Sequence, residues 1–158
     1  MLNYVTFYST TVAFGCMLLA IGLAIAIVDF ISLRIPDVLN CLLAATGFAW
    51  QIMNGSSSLL LQIFYSIGLL IFFYLIRVWH FASAEKQGLG LGDVKMAGAA
   101  GLWISPLNFP VFVFLSSSTG LLFALIKLGR AKSTKIPFGP FLALGLFLTW
   151  IWENYGGG

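Results

Sequence analysis

The chain has 158 residues, room for one domain spanning 1–158, and 60% of them are hydrophobic against 8% charged. With a mean hydropathy of +1.01, this balance excludes an ordinary soluble protein and points to an integral membrane protein. The net charge of +3 rests on eight basic and five acidic residues, too few and too scattered for a nucleic-acid surface, so charge here reports topology.

Apolar runs long enough to approach a bilayer crossing, which takes roughly 17–25 helical residues, begin at 11–28. No Lys or Arg precedes this run and no small-residue cleavage site follows it, so it reads as a retained span and not a signal peptide. The second run, 38–53, is short, and Asn54 with Gly55 and the serines after it turns the chain. Residues 59–79 form a long third span, with His80 as an interfacial residue at its end. The fourth, 93–104, is too short to cross unaided, and Ser105-Pro106 turns the chain into a fifth span at 109–128. Pro137 and Pro140 suit the first turn of a sixth, 137–152. The expectation is an all-α, polytopic membrane helix bundle of about six spans.

Charge orients that bundle. Arg34 lies in the first loop, Arg77, Lys86 and Lys95 around the third, and Lys127, Arg130, Lys132 and Lys135 around the fifth. The positive-inside rule makes these loops cytoplasmic and both termini external. Asp29, Asp37, Glu85 and Asp93 share that side, and Glu153 lies opposite.

The most informative stretch is Gly88-Leu89-Gly90-Leu91-Gly92-Asp93-Val94-Lys95. An ionisable group entering an apolar segment is a functional candidate because it is expensive there. Asp29, at the end of the first span, lies at the same predicted depth. Two carboxylates that converge cannot both ionise, so the pair holds one proton. Such a dyad takes a proton from water while giving one to a peptide carbonyl, which is metal-free and cofactor-free peptide hydrolysis.

The surrounding residues have blander roles to weigh. Pro36 breaks helical geometry at Ile35, and Asp37 suits a cap on the second span. Lys95 sits two residues from Asp93, off its helix face, and reads as a headgroup anchor. Glycines at every second position, in extended backbone, offer a bare edge on which substrate backbone can dock. That repeat fits no phosphate-binding template. Cys16 and Cys41, in separate apolar runs without a nearby His, read as inert core thiols.

Taken in order, Asp29 with Ile35-Pro36-Asp37, then Gly90-Leu91-Gly92-Asp93-Val94-Lys95, then Ile136-Pro137-Phe138-Gly139-Pro140-Phe141 resemble the type IV prepilin peptidases. The resemblance implies a multi-pass enzyme of the bacterial inner membrane that clips leader peptides from prepilins or pseudopilins at the cytoplasmic face. It makes Asp29 and Asp93 the catalytic pair, with Gly90 and Gly92 shaping the motif turn and Pro36, Asp37 and Lys95 in support. Many members also carry a cytoplasmic insertion with paired C-x-x-C motifs and methylate the product. This chain has only Cys16 and Cys41, so peptidase without methyl transfer is expected. A small proton-coupled transporter using the same two acids as a relay is the competing reading, and a non-catalytic scaffold the third. Against the relay, neither acid lies mid-span and no inverted repeat is evident.

Overall fold

The computed structural model describes residues 2–54, 59–84, 90–128 and 136–156. Six α-helices follow in chain order: α1 (Leu2–Ser32), α2 (Asp37–Met53), α3 (Leu59–Ala84), α4 (Leu91–Ala100), α5 (Phe109–Leu128) and α6 (Gly139–Ile151). A 3-10 turn at Pro106–Asn108 leads into α5, a π-helical turn at Trp152–Gly156 follows α6, and no strand occurs among the described residues. The protein is all-α, as its apolar runs predict. His80's side chain, Gly88 and Leu89 of the glycine repeat, Glu85, Lys86, and the basic residues 130, 132 and 135 lie outside the described residues.

Helix ends follow from local chemistry. α1 stops where Leu33 takes φ 53, and the Leu33 N–H still reaches the Asp29 carbonyl at 2.9 Å. A left-handed residue ends a helix this way, although Leu adopts that conformation at a cost of about 1–2 kcal/mol. Pro36, extended at φ −63 and ψ 140, then opens α2. Asp37 is therefore the first residue of α2 and makes no side-chain cap. The capping role read from the sequence is corrected, because proline at the cap position pushes Asp37 one place into the helix.

Among the described residues, three helical stretches are long and apolar enough to cross a membrane: Phe7–Ser32, Leu59–Trp79 and Pro106–Lys127. α4 is not one of them. Its ten residues span only about 15 Å at 1.5 Å per residue, against roughly 30 Å of hydrocarbon. The expected run to 104 instead ends in a turn at 101–104.

That turn is buried, so its carbonyls need partners at a depth where water is scarce. Side-chain amides from two neighbouring helices supply them. Gln51 Nε2 of α2 donates to the Leu102 carbonyl at 2.8 Å, and Gln62 Nε2 of α3 donates to those of Gly101 and Ile104, each at 2.7 Å. Ser66 Oγ donates to the Gly98 carbonyl at 2.7 Å, and the Trp103 indole donates to Leu43 at 2.9 Å. α4 is thereby fixed between α2 and α3.

The core is aromatic: Trp103 and Trp150 are fully buried and meet at 6.3 Å, with Trp50 and Phe14 packed beside them. The outside is apolar too, with Leu60, Phe64, Phe114 and Leu121 each more than 60% exposed, as lipid-facing surface requires. Cys16 and Cys41 are free and exposed on that outer surface. They are not core residues, because each falls on the helix face turned away from the aromatic cluster.

The bundle has two unlike ends. Tyr8 meets Tyr155 at 5.9 Å, bringing the start of α1 beside the residues after α6. Glu153 accepts from the Ser105 N–H at 3.0 Å, placing the turn before α5 at the same end. Asp29, Asp37, Lys95 and Gly139 gather at the opposite end.

Candidate active site

At that opposite end, the last turn of α1 carries Asp29, which is only 4% exposed. Its Oδ2 accepts a 2.8 Å hydrogen bond from the backbone N–H of Gly139, the first residue of α6. Phe138, before it, gives α6 no side-chain cap. Asp29 thus caps a distant helix in trans, with its negative charge at the positive end of the α6 dipole. The approach requires glycine: a Cβ at residue 139 would stand 2.8 Å from Asp29 Oδ2 and 3.1 Å from its Cγ.

Asp93 enters from the other side on α4. Gly90, extended at φ −64 and ψ 145, is the cap residue of that helix, and Asp93 is its third residue. From there the carboxylate turns back to a backbone hydrogen bond at Gly90, the reciprocal half of a capping box. Both acids therefore sit at helix N-termini. They also act on one another. Burial first, and then the charge of Asp29, push the Asp93 carboxyl up from its ordinary 3.8 to about 6, while the Gly90 bond pulls the other way.

The two motifs around the acids hold each other. Gly92 lies within α4, where a Cβ would stand 2.9 Å from that of Ile35 and 3.3 Å from its backbone N and O. The expected extended edge therefore stops at Gly90, and the bare side of Gly92 is occupied by Ile35. Lys95 Nζ pairs with Asp37 Oδ1 at 2.6 Å, so Lys95 is tied to α2 and is not a free headgroup anchor. Asn40 of α2, 4% exposed, donates from Nδ2 to the Gly92 carbonyl at 3.1 Å.

Sequence reasoning passed over Asn40 and gave the proline-flanked stretch around Gly139 mainly a structural role. Asn40 stands three residues after Asp37, one helical turn away, which was the available signal. For Gly139 the signal was weaker, a glycine between prolines, and only the fold shows what approaches it.

A model of the type IV leader peptidase family matches residues 16–125, which contain both aspartates. The chain belongs to the type IV leader peptidase family. Among curated relatives of this peptidase-family chain, the prepilin leader peptidase/N-methyltransferase of Legionella pneumophila is 30% identical over 150 residues, 93% of this chain and 52% of that protein. The enzyme of the same name from Escherichia coli K12 is 32% identical over 139 residues, 82% of this chain and 60% of that one. A type 4 prepilin-like proteins leader peptide-processing enzyme from Escherichia coli O78:H11 is 34% identical over 138 residues, 84% of this chain and 49% of that one. The chain spans about half the length of these relatives. No solved structure matches it.

Proposed function

We propose that this family member is a membrane-embedded aspartic endopeptidase that removes the basic leader peptide from type IV prepilins or pseudopilins, with Asp29 and Asp93 as its acid pair. The observation that carries the reading is the placement of two carboxylates from α1 and α4 at one end of an apolar bundle, each against a helix N-terminus and near enough for the charge of Asp29 to act on Asp93. The family match and the names of its relatives support this substrate class.

In this mechanism the pair holds one proton and titrates as a unit. A water between the carboxyl groups attacks the scissile carbonyl carbon. The ionised member takes the water's proton while the protonated member gives its own to the carbonyl oxygen, forming a gem-diol. Collapse of the gem-diol breaks the C–N bond, delivers a proton to the leaving amine, and returns the pair with one proton. Gly90 and Gly139 serve by letting backbone approach the acids, and Gly92 by seating Ile35 against α4; Pro36 sets the start of α2, and Asp37, Lys95 and Asn40 hold α2 to α4.

The positive-inside pattern of the loops supports reading the acid end as cytoplasmic, in a bacterial inner membrane, with both termini outside.

Incubating the 158-residue protein in lipid nanodiscs with a purified prepilin, and following the shortened product by mass spectrometry, tests the proposal. Asp29→Asn and Asp93→Asn are each expected to abolish cleavage, a loss of about 1,000-fold or more in kcat/KM. Cleavage by either variant at even a tenth of the unmodified rate removes the pair from the chemistry. A product carrying an N-methyl group overturns the expectation on methyl transfer.

A further inference from the structure

At the end away from the aspartates the bundle contains a cavity of about 230 Å³, lined in part by Trp50, Gln51, Gln62, Trp103, Glu153 and Asn154. What these side chains offer it follows from bonds they already make. Gln51 Nε2 donates to the Leu102 carbonyl, both protons of Gln62 Nε2 are engaged by the Gly101 and Ile104 carbonyls, and Asn154 Nδ2 donates to that of Trp150. A carbonyl only accepts, so each amide nitrogen must be the end that meets it, and the amide oxygen is left over. None of these oxygens accepts a hydrogen bond from a described residue.

Glu153 adds a carboxylate. It accepts from the Ser105 N–H at 3.0 and 3.2 Å and makes no ion pair with a described residue. The Trp103 indole N–H is committed to Leu43, so that ring offers the cavity no donor. The wall thus carries a negative charge and several acceptors, alongside the polar side chains of Asn54 and Ser105 and the edges of two buried indoles. Both glutamines are 91% buried, since each is only 9% exposed, and are held rigidly by the turn they support.

We infer that this cavity is a binding site for a small primary ammonium, which presents three N–H donors to the Glu153 carboxylate and the glutamine oxygens beside the tryptophans. A protonated amine answers both features: N–H donors for the amide oxygens, and positive charge for a carboxylate that has no ion-pair partner among the described residues. A metal ion fits less well, because no cluster of three His, Cys, Asp or Glu able to hold one occurs among the described residues. The volume takes about eight waters at roughly 30 Å³ each, which admits an ethanolamine with residual water. Such a group comes from a phosphatidylethanolamine headgroup or from a free amine in solution.

The test uses the full chain in phosphatidylglycerol nanodiscs. Its melting temperature is followed against ethanolamine, against neutral ethylene glycol, and against choline, whose nitrogen has no N–H. Ethanolamine is expected to raise the melting temperature, ethylene glycol to leave it unchanged, and choline to act about tenfold more weakly or worse. Glu153→Gln keeps an oxygen for the Ser105 N–H but removes the charge. It is expected to weaken the ethanolamine response by about tenfold while prepilin cleavage proceeds unchanged.

A second arm purifies the protein from mixed phosphatidylethanolamine and phosphatidylglycerol bilayers and reads retained lipid by native mass spectrometry. Selective retention of phosphatidylethanolamine assigns the site to a headgroup, and a response to ethanolamine without lipid selectivity assigns it to a free amine. Ethylene glycol or choline matching ethanolamine overturns the proposal. So does the absence of both an ethanolamine response and a lipid preference, or a Glu153→Gln variant that responds undiminished. The ethylene glycol and choline arms need no substitution, so they decide even where that variant fails to fold.

Discussion

The two ends of the bundle solve the same problem in opposite ways. Each must satisfy bare backbone groups inside an apolar environment, but the groups have opposite polarity. At the Gln51 and Gln62 end the bare groups are carbonyls of the turn after α4, and neutral amides supply the donors. At the Asp29 and Asp93 end the bare groups are N–H groups of two helix N-termini, and carboxylates accept from them. Neutral amides complete a structure and hold it still. At the Asp29 and Asp93 end two carboxylates also act on each other, whereas Glu153 at the other end accepts from the Ser105 N–H with no second acid among the described residues beside it.

Four substitutions break or sharpen this contrast. Beyond the loss of cleavage already expected of the two asparagine variants, the largest effect is expected from Gly139→Ala, which puts a methyl 2.8 Å from Asp29 Oδ2. The backbone N–H survives, so a purely capping Asp29 would shift slightly and cleavage would persist; an Asp29 that reacts should lose about 100-fold in kcat/KM, read with the prepilin assay. Next is Gln62→Leu, which strands two buried carbonyls at the other end. It should destabilise by about 2–4 kcal/mol, seen as a lower melting temperature, with kcat little changed in the fraction that remains folded.

Third, Asp93→Asn should raise stability at neutral pH while removing activity. A carboxyl pushed up to about 6 from 3.8 binds protons more tightly in the folded state. Its destabilising effect is therefore absent below the unfolded value, grows as pH rises between the two, and is complete above about 6. The gain from asparagine should be on the order of 1–3 kcal/mol at pH 7.5 and shrink toward zero near pH 4, as melting curves across pH would show. The same proton sets a limb in unmodified enzyme: kcat/KM should fall as pH rises beyond about 6, and a rate still climbing at pH 9 would contradict it. The smallest effect belongs to Lys95→Met. Its ion pair with Asp37 is partly open to solvent, at 35% and 69% side-chain exposure, and should contribute under about 1 kcal/mol.

Composition and hydropathy periodicity carried the helical class and the places of the six helices, because every one of them has a lipid-facing or core-facing apolar run. The two acids were legible for a related reason, since charge is conspicuous in so apolar a chain. The extent of α4 was not legible. Residues 101–104 are as apolar as the helix before them, and only the glutamines on α2 and α3 reveal that their carbonyls leave the helical ladder. Asp37 was misread for a similar reason: capping is a single-residue register, and Pro36 took the position one residue earlier. The Gly92 edge was misread because a missing side chain looks the same in sequence whether substrate or Ile35 fills the space.

The Asp29 to Gly139 hydrogen bond joins residues 110 positions apart. During synthesis, therefore, α1 enters the membrane with its carboxylate uncapped and waits for α6 to be made and docked. If Asp29 acts as proposed, competence to cleave is a late event in biogenesis, reached only when α6 has inserted, and a ribosome-bound chain halted before Gly139 would be inactive.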